Sequence, residues 1–349
     1  MVTPPRQSEI DVRLRMFTWL TDRAGLLAVS RMTAEDVARA RSRRLSHNVV
    51  TSRVFGPLPR DVTATDRTAD TDAGPLTVRV YTPPGAAPDR PLVVDFHGGG
   101  GTLGNLDHSD WLCSWVATRV GAVVVSVDYR LAPEHPFPAG LEDGYAGLRW
   151  AVAHAEELGA ASGRVAVMGD SAGGNLAAAV CLLAREAGPV IDAQILLYPV
   201  VDLRFSAAST DRFHAGPLLT RADMDVFRAN YLGADGDAED PFCSPLLAPD
   251  LSGLPPALVV TARIDPLHDD GVAYAARLEA SGVPTRHRDH QRAVHGFLSF
   301  PGVCRAAGAA LDEICCELAE RLTPELVPTA ALPVAAPEKG YMWSPPLTE

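Results

Sequence analysis

The sequence predicts an α/β fold in which a mostly parallel sheet carries helices on both faces. Short runs dominated by Val, Ile and Leu, such as 122–127 and 257–262, lack the polar alternation of a half-exposed strand. Such runs are typical of strands buried on both faces. Segments with helical spacing lie between them, and this alternation indicates parallel crossover connections. The 29 Gly and 29 Pro residues indicate many sharp turns.

The elements follow one another regularly after a helical N-terminal segment. Residues 10–45 are predicted to form two helices, because Val12, Met16 and Trp19 recur at helical spacing and Thr33 caps the second. A loop is expected over 57–75. Predicted strands then cover 76–81, 91–96, 122–127, 164–168, 193–198 and 257–262, and predicted helices cover 111–119, 140–157 and 175–186. A polar, helix-prone insertion at 203–235 interrupts this rhythm.

Composition excludes several classes of function. The chain has 31 Lys and Arg against 43 Asp and Glu, a net charge of −12 at pH 7, which argues against nucleic-acid binding through a broad basic face. No apolar run approaches the roughly 18 residues that a membrane span requires, and the N-terminus lacks the apolar stretch of a secretory signal. The six cysteines form no CxxC pair, so we expect free thiols in a reducing cytoplasm.

The strongest functional motif is GDSAG at 169–173, a G-x-S-x-G between a predicted strand and a predicted helix. In this context such a motif forms a nucleophile elbow. Gly169 and Gly173 carry no side chains that would crowd the turn, so the Ser171 hydroxyl is predicted to stand clear at the C-terminal edge of the sheet. The helix start adds free N–H groups that suit an oxyanion. The alternative is a glycine-rich helix cap in which Ser171 only satisfies backbone groups.

A second glycine-rich loop, HGGGG at 97–101, follows the predicted strand 91–96. In lipases and esterases such a loop supplies backbone N–H donors to the tetrahedral intermediate, together with the residue after the nucleophile, here Ala172. The same glycines spell G-x-G-x-x-G over 99–104, with Asp128 ending the next strand, which would suit a dinucleotide fold. That fingerprint opens a helix within its glycines, whereas a loop is predicted here, and the serine motif would be left without a role.

A serine hydroxyl needs a histidine to accept its proton and a carboxylate to orient that histidine. In the hydrolase chain order these follow the serine, acid first. Asp265 lies in the loop after a predicted strand. Of three candidate bases, His287 and His290 lie among charges that indicate a solvated strand, whereas His295 precedes Gly296 in a loop. We therefore predict that Ser171, Asp265 and His295 are the catalytic residues.

These motifs resemble those of the hormone-sensitive-lipase-like branch of the α/β-hydrolases, and specifically of its bacterial carboxylesterases. They occur in that family's order: HGGG at 97–100, DYRLAPE at 128–134, GDSAGGN at 169–175, YP at 198–199, SPLLA at 244–248, DPL at 265–267 and HGF at 295–297. The resemblance implies an α/β-hydrolase fold with an eight-stranded, mostly parallel sheet and a helical cap over Ser171. By position, Gly99, Gly100 and Ala172 match the family's oxyanion donors, with Gly98 as the alternative glycine.

The resemblance also implies the domain organisation. Residues 1–50 would form N-terminal cap helices and residues 51–322 the catalytic domain, with the insertion at about 203–235 completing the cap. Residues 323–349 would be a Pro/Ala-rich tail. One departure concerns Gly101 and Thr102, where the family commonly has a bulky aromatic and an aliphatic residue, so a wider acyl side of the pocket is expected.

Two further groups of residues are assigned by the same reasoning. Four acids are expected to brace loops or to pair with arginines such as Arg130: Asp128, Glu134, Glu142 and Asp170. Four aromatic residues are expected either to line the pocket mouth or to pack between cap and body: Phe17, Trp19, Phe205 and Phe213.

The motifs predict a carboxylic ester hydrolase, a serine hydrolase of class EC 3.1.1, acting on small to medium acyl esters through an acyl-enzyme. Amide, carbamate or thioester hydrolysis by the same triad is the nearer alternative, because leaving-group choice depends on pocket shape. A non-hydrolytic small-molecule-binding relative is the more distant one. No cofactor or metal is expected, since a cluster of His287, Asp289, His290 and His295 matches no common ligand spacing. A homodimer through the last strand and helix is a further expectation from the resemblance.

Overall fold

The computed structural model describes residues 10, 12–24, 28–85, 87 and 89–323, so the predicted tail after Thr323 lies outside the described residues. The described residues form an eight-stranded sheet. Its strands are β1 Thr63–Thr71, β2 Gly74–Thr82, β3 Arg90–Phe96, β4 Val123–Val127, β5 Ala160–Asp170, β6 Ala193–Leu197, β7 Ala257–Ile264 and β8 Thr285–Val294. Their order across the sheet is β1-β2-β4-β3-β5-β6-β7-β8. Strand β2 pairs antiparallel with β1 and β4, and the other pairings are parallel, which confirms the predicted sheet.

The helices fall largely where the sequence predicts them. They are α1 Val12–Ala24, α2 Ala34–Ser42, α3 Ser52–Phe55, α4 Asp110–Val120, α5 Ala139–Ala153, α6 Ala155–Leu158, α7 Ala172–Ala187, α8 Ala208–Arg212, α9 Arg221–Leu232, α10 His268–Ala280 and α11 Ala306–Leu322. The helix predicted over 140–157 is interrupted at His154, which separates α5 from α6. Thr33 caps α2 as predicted, since its hydroxyl accepts from the N–H of Asp36. None of the described helices is long and apolar enough to cross a membrane.

The prediction of a loop over residues 57–75 is wrong, because this segment contains the nine-residue strand β1. Its sequence, TATDRTADT, has no apolar alternation, and Ala69 is its one buried residue. The strand lies at the edge of the sheet and pairs along its whole length with β2, from Thr63 opposite Thr82 to Thr71 opposite Gly74. Backbone pairing to a neighbour stabilises this strand, and a pattern of side chains cannot reveal it.

Two hydrophobic cores lie on opposite faces of the sheet. Leu92 and Val94 of β3 pack on one face with Leu148 of α5. Val93, which lies between them, points to the other face and packs with Leu311 of α11. The side chains at positions 92, 93, 94 and 148 are all fully buried. Successive side chains of a strand alternate between faces, so the continuous apolar runs are explained by helices on both sides.

The N-terminal helices are tied to loops at the carboxyl end of the sheet. Arg41 of α2 donates from Nε to the carbonyl of Thr102 at 2.7 Å and also contacts the carbonyl of Ala132. Helix α9 is tied to the N-terminal segment in turn, because the N–H of Ser30 donates to Oδ1 of Asp223 at 2.9 Å. The N-terminal segment and the 203–235 insertion therefore meet over the same edge of the sheet.

Candidate active site

Ser171 lies in the sharp turn between β5 and α7. Its backbone has φ 54° and ψ −115°, a strained conformation that costs a non-glycine residue roughly 1–3 kcal/mol. Glycine is required on both sides. A Cβ at Gly169 would overlap the carbonyl of Gly173, and a Cβ at Gly173 would overlap the carbonyl oxygen of Phe96. The turn therefore packs directly on the end of β3 and presents the serine above the sheet edge, as the elbow interpretation requires.

A hydrogen-bonded relay connects Ser171 to two side chains from other strand ends. Oγ of Ser171 lies 2.9 Å from Nε2 of His295, and Nδ1 of His295 lies 2.8 Å from Oδ2 of Asp265. The other oxygen of Asp265 accepts the N–H of Leu267 at 2.8 Å, which fixes the carboxylate. Asp265 is 1% exposed and His295 is 8% exposed. The structure thus brings together the three residues that the sequence singles out, with both imidazole nitrogens engaged.

The other candidate histidines lie elsewhere. Nε2 of His290 is 3.1 Å from a carboxylate oxygen of Glu313 on α11, and Nε2 of His287 is 2.8 Å from the hydroxyl of Thr261. Neither side chain lines the cavity that contains Ser171. Across the described ranges, no group of three metal-ligating side chains is arranged to hold an ion.

The glycine-rich loop after β3 folds back on itself beside Ser171. The carbonyl of Gly99 accepts the N–H groups of Thr102 and Leu103 at 3.1 and 2.7 Å, and Gly99 and Gly100 have φ of 124° and 64°. No helix opens within the glycines, since α4 begins only at Asp110. This geometry does not fit the dinucleotide fingerprint. It fits a loop that presents backbone N–H groups beside the free N–H at the start of α7, where Ala172 lies.

His97 braces this loop from below. Its ring stacks on Tyr129 with centroids 4.6 Å apart, and Nδ1 lies 2.8 Å from the carbonyl of Gly98. The hydroxyl of Tyr129 donates to the carbonyl of His97 at 2.7 Å. Burial lowers the pKa of His97 to about 4, so the ring is neutral near pH 7 and supports the loop without adding charge.

The insertion helix α9 covers the same loop from above. A Cβ at Gly100 would lie 2.7 Å from Cδ2 of Phe227 and closer still to two other ring carbons, and a Cβ at Gly101 would lie 2.8 Å from the ring of Tyr231. No motif in the sequence indicates Phe227 or Tyr231. The ring of Tyr231 lies where a bulky side chain at position 101 would begin, so the expected widening at Gly101 is offset by α9.

A cavity of about 650 Å³ opens above Ser171 and His295. Most of its surface is apolar, and its wall includes Phe17, Phe55, Phe205, Met224, Phe227, Leu298 and Phe300. Two of the four aromatic residues suggested for the pocket mouth, Phe17 and Phe205, line it. Phe213 packs in the core instead, and Trp19 is 56% exposed. An apolar cavity with a few convergent polar groups is typical of a small-molecule site.

Three of the four acids expected to brace loops or to pair with arginines are exposed, and two of these three pair with an arginine. Asp128 and Glu142 are exposed. Arg130 pairs with Glu142 at 3.4 Å and more closely with the buried Asp143, whose carboxylate lies 2.8 Å from both Nε and Nη2 of the arginine. Glu134 is exposed as well, and it pairs with Arg41 at 2.7 Å. Glu142 and Asp143 are consecutive residues of α5, and only the packing of this helix decides which carboxylate faces inward.

Comparisons with known proteins agree with this geometry. Residues 93–299 match a family model described as alpha/beta hydrolase fold. The chain is 46% identical over 269 residues to carboxylic ester hydrolase LipN of Mycobacterium tuberculosis, covering 75% of this chain and 71% of that protein. It is 42% identical over 280 residues to carboxylesterase NlhH of the same species, covering 79% and 86%.

Solved structures show the same similarity. Ester-hydrolase EH1AB1 from the metagenome of Lake Arreo superimposes with a TM-score of 0.80 at 36% identity, covering 88% of this chain and 98% of that one. A Pyrobaculum calidifontis esterase superimposes with a TM-score of 0.75 at 38% identity, covering 85% and 96%.

Proposed function

The chain belongs to the hormone-sensitive-lipase-like family of α/β-hydrolases and is a carboxylic ester hydrolase, and we propose that it cleaves small to medium acyl esters through an acyl-enzyme on Ser171. The observation that carries the proposal is the buried relay from Oγ of Ser171 through His295 to Asp265. In this relay the serine faces the apolar cavity and the carboxylate is shielded from water.

The first half of the proposed reaction forms the acyl-enzyme. Nε2 of His295 accepts the proton of Ser171 as Oγ attacks the ester carbonyl carbon, and Asp265 stabilises the imidazolium that results. The same Nε2 then returns the proton to the oxygen of the departing alcohol. The hydrogen bond from the N–H of Leu267 holds Asp265 in the orientation that this relay needs.

The N–H groups of Gly99, Gly100 and Ala172 are proposed to hold the oxyanion. They come from two rigid pieces of backbone, a tight glycine turn and a helix start, so little reorganisation accompanies the appearance of negative charge. In the second half, water attacks the acyl-enzyme with His295 as base, and the acid product leaves. The cavity of about 650 Å³ suits acyl groups of small to medium size.

The test is hydrolysis of a p-nitrophenyl ester series from acetate to decanoate, with a p-nitroanilide for amide cleavage. We expect turnover of the shorter esters and loss of at least about a thousandfold in kcat for Ser171→Ala. Ser252→Ala, at an exposed serine away from the cavity, is the matched control and should stay near wild type. Wild-type activity in Ser171→Ala would refute the mechanism, and preference for the anilide would refute the ester assignment.

His295→Ala and His290→Ala form a second matched pair. We expect loss of turnover in the first variant only, because His290 pairs with Glu313 away from the cavity. A loss confined to His290→Ala would overturn the assignment of the base.

A cytoplasmic location and a homodimer are part of the proposal. All six cysteines carry free thiols, which supports a reducing compartment. Strand β8 is an edge strand of the sheet, so it leaves backbone groups available for pairing with a second copy. Light scattering on the purified chain measures the oligomeric state, and a monomer at micromolar concentration would contradict the dimer.

A further inference from the structure

Asp170, the residue before the nucleophile, contacts the glycine-rich loop 97–101, which is called the oxyanion loop below because its glycines are the proposed oxyanion donors. It ends strand β5 and lines the cavity. A Cβ at Gly98 would lie 2.5 Å from Oδ2 of Asp170, and the backbone N–H of Gly98 stabilises the charged form of this carboxylate. The first glycine of the loop is thus engaged by Asp170, which leaves the N–H groups of the next two glycines for the substrate.

The same carboxylate oxygen also contacts Tyr198, which follows strand β6. The hydroxyl of Tyr198 donates to Oδ2 of Asp170 at 3.4 Å and interacts with the backbone of Leu298. The edge of the Tyr198 ring packs on His295, with ring centroids 5.2 Å apart. Asp170 and Tyr198 therefore join the oxyanion loop, the nucleophile strand and the loop that carries the base.

The surrounding groups determine the pKa of Asp170. Burial and, secondly, the charge of Asp95 raise the pKa of Asp170 to about 7, while Gly98, His295 and Tyr198 act in the opposite direction. Further titratable groups that face it include Tyr129 and Cys113. Burial raises the pKa of Tyr129, Tyr198 and Cys113 well above their ordinary values, so these groups are neutral near pH 7.

We propose that Asp170 is a positioning residue for ester hydrolysis: its carboxylate ties the oxyanion loop to the nucleophile strand and, through Tyr198, to the ring of the base His295. The proposal rests on the proposed function, since it acts through the oxyanion donors and the base of that reaction. Loss of the charge leaves the cavity and the relay from Ser171 to Asp265 in place, but it loosens the loop that presents the proposed oxyanion donors.

Asp170→Asn is the decisive variant, because the amide keeps an acceptor oxygen and the side-chain shape but removes the charge. We expect kcat at pH 8 to fall by about tenfold with KM nearly unchanged, less than for loss of a whole oxyanion donor. The melting temperature at pH 8 should not fall, since the variant no longer holds a carboxylate ionised above its raised pKa.

The control is Asp72→Asn, which removes the same charge from an exposed residue that pairs with Arg149. Its kcat and KM should match wild type. A kcat within twofold of wild type in Asp170→Asn would overturn the proposal. So would a lower melting temperature with parallel loss of titratable active sites, because that result indicates a purely structural role.

Tyr198→Phe keeps the proposal testable if Asp170→Asn does not fold. It removes only the hydroxyl that holds Asp170, so we expect a smaller loss of kcat, about threefold, with KM unchanged. Wild-type kcat in this variant would also overturn the proposal.

Ser171→Ala is measured in parallel. If it keeps activity, the proposed function fails, whereas an active wild type with an unaffected Asp170→Asn refutes only the positioning role.

Discussion

Gly100→Ala is expected to disable the enzyme through packing between the glycine-rich loop after β3 and α9. Gly100 has φ 64°, which costs an alanine about 1–2 kcal/mol. Its new Cβ would lie 2.7 Å or less from three ring carbons of Phe227, where carbon atoms need roughly 3.5–4.0 Å. The loop or the ring must therefore move by about 1 Å, and a misplacement of this size costs about a hundredfold in rate. We expect kcat to fall by that factor, about 2.7 kcal/mol in activation free energy.

The assay is kcat for p-nitrophenyl acetate, normalised to active sites titrated with an organophosphate. Gly121→Ala is the matched control. Gly121 has φ 71° and open space around its Cβ position, so this variant carries the backbone strain without the overlap. It should lose stability but keep kcat. Gly100→Ala combined with Phe227→Ala should recover part of the rate, because the overlap is removed. A loss below threefold in Gly100→Ala, or an equal loss in Gly121→Ala, would refute the reasoning.

Three further predictions concern single carboxylates and a guanidinium. Asp265→Asn should lower kcat by about 10⁴-fold by disturbing the histidine tautomer, whereas Asp269→Asn, at the start of α10, should stay near wild type; comparable losses would contradict the assignment of the acid. Arg41→Ala should lower the free energy of unfolding by about 1.5–3 kcal/mol, because hydrogen bonds from a charged group to loop carbonyls are lost. Arg39→Ala, which removes only exposed ion pairs on the same helix, should change the urea midpoint little, and equal shifts would count against the contact of α2 with the loop. Burial raises the pKa of Asp270 to about 7, so this group favours the folded state fully below about pH 4 and loses that contribution as the pH rises through 7. Asp270→Asn should flatten that decline in stability between pH 4 and 7, and an unchanged slope in urea unfolding across this window would contradict it.

The sequence predicts the parts of the site that local backbone requirements impose. The Ser171 turn needs glycine at two flanking positions, and the strand and helix on either side complete the signal. Asp265 and His295 are chosen by chain order and by their places after strands, and the structure brings both to Ser171. The charged neighbours of His287 and His290 correctly predict that neither histidine lines the cavity.

Contacts between distant segments leave no such local signal. Arg41 donates to the carbonyl of Thr102, which lies 61 residues away in the sequence, and no residue pattern in either segment predicts this hydrogen bond. Tyr198 stands in a motif of the family, yet its hydrogen bond to Asp170 depends on where β6 ends relative to β5. The strand β1 escaped prediction for a related reason, since its pairing with β2 rests on backbone groups that every sequence possesses.

The amino-acid sequence by itself determined the buried strands of the sheet, the order of the helices between them and the identities of the nucleophile, acid and base candidates. These follow from apolar periodicity and from glycine requirements, which act within a few residues. Only the tertiary structure decided that the rings of Phe227 and Tyr231 cover the glycine loop, and that Asp170 lies against Gly98. Such contacts depend on the volume left between elements after the sheet and helices have packed, and that volume is a property of the whole fold.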